Sequence, residues 1–220
     1  MPKTAILFDI DGTLVDSNDA HVAAWDQAFR QHDYDFDCAT IHDQIGKGGD
    51  NLLPALVPDA PEAVRQALEN AHAEIYKRDY LERVQLFPGA RELLLKTREA
   101  GKKVVLASSA SRPELDHYVE LLGAAEIIHA ATSKDDVAHS KPYPDIFLAA
   151  AGHAEADPSE ALVIGDTPYD IIAARRSGID TIALRSGRFP EQALTEQRPV
   201  AIYDDVAALL AEFDRSPICG

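Results

Sequence analysis

The sequence predicts an α/β fold: a doubly wound parallel sheet, Rossmann-like in its wrapping, with a small α-helical domain inserted after the first strand. Three observations predict it. Short apolar runs of the kind buried on both faces recur along the chain: Ile6-Leu7-Phe8, Val104-Val105-Leu106, Ile127-Ile128, Leu162-Val163-Ile164 and Ile182-Ala183-Leu184. From Pro88 onward these runs alternate with amphipathic helices, the pattern of parallel strands joined by crossovers. From Asp16 to Gln85 helical periodicity replaces the strand signals.

The elements follow in order. After Ile6-Leu7-Phe8, Asp16, Ser17 and Asn18 read as a hinge and helix N-cap, and Val22, Trp25, Ala28 and Phe29 share one face of the helix they open. The stretch Ile45 to Asn51 is a glycine-rich turn leading into Leu52-Leu53. Val64, Leu68, Ala71 and Ile75 form a second helical face, with Pro61 suited to its first turn. Ser111 and Glu114 have capping-box spacing, ahead of Leu115, Tyr118, Val119 and Leu122 on one face. Thr167-Pro168 opens a helix that Gly178 closes. Val206, Leu209, Leu210 and Phe213 make a last helix, and Ser216 to Gly220 read as a loose tail. The expected division is a core of residues 1–15 and 86–220 with a helical cap of residues 16–85.

Composition narrows the function. A length of 220 residues, 46% hydrophobic, supports one large core with an insert. The formal net charge of -16 disfavours nonspecific binding to nucleic acid or anionic membrane, so an anionic ligand needs a local cationic site. No apolar run approaches the roughly 18 residues that span a bilayer. The N-terminus runs straight into the first strand with no signal-peptide pattern, and Cys38 and Cys219 are too distant to suggest a disulfide framework. A cytoplasmic protein, monomeric or homodimeric, is the expectation.

The chemistry concentrates at strand ends, where open parallel sheets bind ligands. Asp9 and Asp11 follow the first strand; carboxylates so close raise each other's pKa unless a cation or hydrogen bonds hold them. Ser108-Ser109 follow the second apolar run, Gly165-Asp166-Thr167 a later one with Asp170 one turn on, and Lys141-Pro142 sits before the helix of Ile146 and Phe147. Together they suit phosphoryl transfer. An aspartate can attack phosphorus, a second can move a proton, and a lysine with a magnesium ion on carboxylates can neutralise the phosphate.

These segments, Asp9-x-Asp11-Gly-Thr, Ser108-Ser109, Lys141-Pro-x-Pro144 and Gly165-Asp166-Thr-Pro-Tyr-Asp170, resemble in order and separation the four motifs of the haloacid dehalogenase superfamily. The helical insert resembles the cap of the subclass holding phosphoglycolate phosphatase and β-phosphoglucomutase. The resemblance implies Asp9 as nucleophile, Asp11 as acid/base, and Ser108 and Lys141 as phosphoryl ligands. It implies a magnesium site of Asp9, Asp166 and the backbone carbonyl near Asp11. Asp170 would support the metal waters or Lys141, and Ser109 the phosphoryl oxygens.

In the cap, Gly46 and Lys47 fall where the family places a substrate-contacting loop; the alternative is an exposed lysine in a mobile turn. His21 near the hinge is either a substrate contact or a solvent-facing helix histidine, and Trp25 reads as cap core. Asp11 argues against dehalogenase and phosphonate chemistry, whose enzymes lack that second aspartate. The favoured expectation is a magnesium-dependent phosphatase acting on a small phosphorylated metabolite. A sugar-phosphate mutase is the alternative, disfavoured by glycine at 165 where mutases of this branch commonly carry an acidic residue. A non-catalytic binding protein with a relic site is opposed by the complete motif set.

Overall fold

Strand β1 (Ala5–Phe8) is buried throughout and lies inside a six-stranded parallel sheet in the computed structural model, which describes residues 2–220. A short strand β2 (Val15–Asp16) leads into helices α1 (Asn18–Gln31), α2 (Cys38–His42), α3 (Gly49–Leu56) and α4 (Glu62–Asp79). Strand β3 (Gln85–Leu86) then pairs antiparallel with β2, Val15 opposite Leu86, and closes the base of the helical segment. Next come α5 (Ala90–Glu99), β4 (Lys103–Ala107), α6 (Arg112–Leu122), β5 (Ala130–Thr132) and α7 (Asp145–His153). The chain ends with β6 (Ala161–Gly165), α8 (Pro168–Arg176), β7 (Asp180–Leu184), α9 (Glu191–Thr195), β8 (Ala201–Tyr203) and α10 (Val206–Ala211).

The sheet order is β5-β4-β1-β6-β7-β8, and every pairing in it is parallel. Alternate side chains of its strands enter two separate cores. Ile6, Phe8, Val104, Leu106, Leu162 and Ile164 face one; Ala5, Leu7, Val105, Ala107, Ala161 and Val163 face the other, against α7 and α8. This two-sided burial explains why the strands read as unbroken apolar runs. No helix among the described residues is long and apolar enough to cross a membrane. Both cysteines are free and exposed.

Several expectations need correction. Ile127-Ile128 is a turn: the N–H groups of both bond to the Ala124 carbonyl, and the strand begins at Ala130. Ile127 is still buried, so its hydrophobicity reports packing, while the small residues Ala130 and Ala131 take the ladder beside Val105 and Leu106. The segment from Asp16 to Gln85 begins and ends with the short strands β2 and β3. The glycine-rich stretch 45–51 becomes helical at Gly49, and α2 and β8 are further elements that the periodicity did not show.

The last residues are not loose. Ile218 is fully buried in the larger core and the Ser216 hydroxyl donates to the Phe213 carbonyl at 2.7 Å. Ile218→Ala should therefore destabilise the protein by about 2–5 kcal/mol in denaturant titration, the usual cost of truncating a packed isoleucine. A loss within measurement error would restore the loose tail.

Candidate active site

Asp9, Ser108 and Asp166 each follow directly on the carboxyl end of β1, β4 and β6, three neighbours in the sheet. The chain runs from β1 outward through β4 to β5, then returns to β6 on the other side of β1. Asp9 and Asp166 thus flank the point where the winding reverses, the place where such sheets open a crevice.

The turn after β1 folds back tightly. The N–H groups of Thr13, Leu14 and Val15 all reach the Ile10 carbonyl, and Gly12 sits at φ +75°. A side chain at Gly12 would collide with Asn18 and Asp166, so this residue is glycine for space as well as for φ. The turn delivers two donors to Asp166: Thr13 Oγ1 to Oδ1 at 2.7 Å and Asn18 Nδ2 to Oδ2 at 3.0 Å.

Lys141 is 1% exposed and lies between two carboxylates. Its ammonium donates to Asp9 Oδ1 and stands 2.7 Å from Asp170 Oδ1, at ion-pair distance but without hydrogen-bond geometry. Asp170 is anchored by its other oxygen, which accepts from the Thr167 N–H at 3.0 Å and the Thr167 hydroxyl at 2.6 Å at the start of α8. The capping box of that helix is therefore also the mount of the lysine's counter-charge.

Oxygens of Asp9, Asp166 and Asp170 all lie within 4.8 Å of one another, and all three residues are buried. One ammonium cannot neutralise three carboxylates. Burial accordingly pushes Asp9 up to about 7 despite Lys141, with Asp170 and Asp11 adding to the rise. Burial, Asp9 and Asp170 hold Asp166 well above the ordinary range. An all-oxygen, anionic, buried donor set short of positive charge fits a hard divalent cation such as Mg²⁺.

Asp11 lives in a different environment, and its carboxylate is not part of that group. Its Oδ1 accepts from the Ser17 hydroxyl at 2.6 Å, the Tyr118 hydroxyl at 2.8 Å and His21 Nε2 at 3.1 Å. Burial alone would raise Asp11, but His21 and these hydrogen bonds outweigh it and hold the carboxyl at about 2. Burial opposes the His21 charge too, yet Asp11 raises its pKa. His21 Nδ1 meets His72 Nε2 at 3.3 Å, where burial and the His21 charge keep His72 well below its ordinary value. A protonated His21 thus donates through one nitrogen to Asp11 and through the other to His72.

Above these groups lies a cavity of about 100 Å³ between the helical segment and the sheet edge. Asp9, Asp11 and Lys141 form part of its wall, with His21, Gly46, Lys47 and Ser109. The Ser109 hydroxyl is buried without a hydrogen-bond partner. Ser108 is fully buried; its oxygen accepts from the Ala110 N–H at 3.0 Å and lies 3.4 Å from Asp11 Oδ2. Lys47 donates to Gln44 Oε1 at 2.5 Å and rests over the Tyr169 ring at 4.5 Å. It reaches the cavity but touches neither aspartate. His21 is largely turned inward to Asp11, its side chain 13% exposed, and Trp25 is both core and cavity wall, stacked on His72 at 4.1 Å.

The family model of the haloacid dehalogenase-like hydrolases matches residues 6–184, a span that includes all four polar segments. The chain belongs to this family. A hydrolase from Pseudomonas syringae shares its fold at a TM-score of 0.91 and 33% identity, over 97% of this chain and 99% of that one. The pyrophosphatase PpaX of Bacillus cereus is 25% identical over 98% of this chain and its own full length. The validoxylamine A 7'-phosphate phosphatase of Streptomyces hygroscopicus subsp. limoneus is 28% identical over 81% of this chain and 84% of its own.

This haloacid dehalogenase-like hydrolase also places residues at the site that motif reading passed over. Thr13 and Asn18 hold Asp166; Ser17, expected to cap α1, makes no side-chain cap and turns its hydroxyl to Asp11 instead. Tyr118 read as an ordinary core position on a helical face, and Tyr76 did not stand out at all. Their sequence signal was only a hydroxyl at a position that becomes fully buried, which demands a partner.

The charge surplus predicts a pH signature. Asp9 and Asp166 bind protons more tightly folded than unfolded, so metal-free stability falls as pH rises from the ordinary carboxylate value of 3.8 through about 7. Mg²⁺ competes with those protons, so it should raise the melting temperature more at pH 8 than at pH 5. Thermal melts with and without Mg²⁺ test this, and Asp166→Asn should shrink the shift. A Mg²⁺ response unchanged by pH and by Asp166→Asn would count against a cation site here.

Proposed function

We propose that this hydrolase is a magnesium-dependent phosphatase that cleaves a small organic phosphate monoester through an aspartyl-phosphate. The observation that carries the reading is Asp9, a buried carboxylate paired with Lys141 that forms part of the wall of the cavity under the helical segment. Relatives named as phosphatases and pyrophosphatases support it.

In this reading Asp9 attacks phosphorus and Lys141 offsets the phosphoryl charge, kept in place by Asp170. The unpartnered Ser109 hydroxyl supplies a donor to a phosphoryl oxygen, with Ser108 behind it ordering the loop. The incoming phosphate anion raises Asp11, which is held low in the free protein, so that it gives a proton to the leaving oxygen and later takes one from water. A magnesium ion held by Asp9, Asp166 and the Asp11 backbone carbonyl would add positive charge where the phosphoryl group sits.

Residues 16–85 act as a cap that closes over the substrate, with Gly46, Lys47 and His21 facing the leaving group. A cavity of about 100 Å³ favours a leaving group of a few heavy atoms, of phosphoglycolate or small sugar-phosphate type. Gly165 favours the phosphatase over the mutase: any side chain there would collide with Asp170. An acidic group at that place is incompatible with the present mount of Lys141.

The purified protein should release inorganic phosphate from p-nitrophenyl phosphate with Mg²⁺ and stop in excess chelator. Asp9→Asn should lower turnover by at least about a thousandfold, as expected for loss of a nucleophile. With β-glucose 1-phosphate the product should be phosphate. Full activity of Asp9→Asn would refute the mechanism, and glucose 6-phosphate as product would favour the mutase.

A further inference from the structure

Two fully buried tyrosines stand behind Asp11 and take no part in the chemistry above. Tyr118 on α6 donates to Asp11 Oδ1 at 2.8 Å, and its oxygen meets the Tyr76 hydroxyl of α4 at 2.6 Å. Asp11 Oδ1 accepts whether the carboxyl is ionised or carries its proton on Oδ2, so the single Tyr118 proton is committed to Asp11 and Tyr76 must donate to Tyr118. The direction of donation is fixed: Tyr76 to Tyr118 to Asp11. Chains of this kind strengthen each member.

The two oxygens of Asp11 are treated unequally. Oδ1 receives Tyr118, Ser17 and His21, while Oδ2 has only the Ser108 hydroxyl at 3.4 Å. Three donors fill the lone pairs of Oδ1 and leave no room there for a transferable proton. His21 and Tyr76 come from the helical segment and Tyr118 from the sheet side, so the complete donor set at Oδ1 and its backing need both.

We propose that Tyr118, backed by Tyr76, is a positioning residue that pins Asp11 Oδ1 and leaves Oδ2 as the oxygen that exchanges a proton with the leaving group. This rests on the phosphatase reading. In the first half-reaction an Asp9 oxygen bonds to phosphorus, the ester P–O bond breaks, and the Oδ2 proton goes to the leaving oxygen. In the second, water oxygen bonds to phosphorus, its proton goes to Oδ2, and the Asp9–phosphorus bond breaks.

The test compares Tyr118→Phe, and the double variant Tyr118→Phe with Tyr76→Phe, against wild type. The double variant removes both hydroxyls and leaves none orphaned, which guards the fold. For glycerol 2-phosphate, an alkyl ester whose leaving group needs a proton, kcat/KM should fall about tenfold or more. For p-nitrophenyl phosphate, whose leaving group needs none, it should fall about threefold or less. Equal losses on both substrates would mean a merely structural role, and no loss on either would mean no role; each overturns the proposal.

A crystal structure of Tyr118→Phe supplies a second reading that does not depend on turnover. Asp11 should be turned from its wild-type position; an unmoved carboxylate overturns the proposal. Wild-type protein inactive on every ester with Mg²⁺ would instead refute the phosphatase reading, and the crystallographic comparison would still decide the role of Tyr118.

Discussion

The burial of Lys141 among Asp9, Asp166 and Asp170 is the constraint on which the rest of the site depends. Charges removed from water are tolerated only when paired and hydrogen-bonded, and here the pairing is incomplete by design of the donor count. The surrounding structure supplies what neutral donors can. Thr13 and Asn18 serve Asp166, and Thr167 serves Asp170 through a helix cap. The carboxyl ends of three adjacent parallel strands bring the acids together, and the winding reversal at β1 keeps the space above them open. The remaining negative charge is what suits the cluster to a hard cation, and the proposed phosphatase chemistry draws on that fit.

Asp9 and Asp11 are two residues apart, yet the fold drives their proton affinities in opposite directions. Asp9 faces other carboxylates and is pushed up by burial; Asp11 faces His21, Ser17 and Tyr118 and is held low against burial. Of the groups behind the separation, His21 belongs to the helical segment and Ser17 stands at its entrance. The insert is therefore part of the electrostatics of the site as well as its roof.

Legibility in the sequence followed the physics of each element. The strands β1, β4, β6 and β7 are buried on both faces, so nothing interrupts their apolar runs. Strand β8 lies at the sheet edge with all three residues half-buried and gives no such run. Strand β5 is built from small residues beside a stronger isoleucine pair that packs from a turn. At the site, Asp9, Asp11 and Asp166 stood out because carboxylates at the ends of buried strands need a reason, while Lys141 and Asp170 were marked by the motif resemblance. Tyr76, Tyr118 and His72 did not, because an aromatic residue on a buried helical face satisfies the core pattern whatever its polar atom does. Which serine faces the cavity was equally hidden: Ser108 and Ser109 differ by one residue, and only backbone direction at the end of β4 separates them.

The helical segment reaches Lys141 by a second route. Asp50 at the start of α3 accepts from the Ser140 N–H at 3.0 Å, and Asn51 donates to the Ser140 carbonyl at 3.1 Å. Both peptide groups of the residue before the lysine are thus held by one helix end. On the far side of the cavity Glu69 of α4 pairs with Lys134 at 2.7 Å. Moving the segment away would leave the Ser140 peptide groups without these partners, a cost of about 1–3 kcal/mol for each polar group that stays buried. The same motion would withdraw His21 and Tyr76 from the Asp11 side. The segment therefore bears on both sides of the site at once: it steadies the loop of the lysine paired with Asp9 and supplies His21 to the donor set on Asp11.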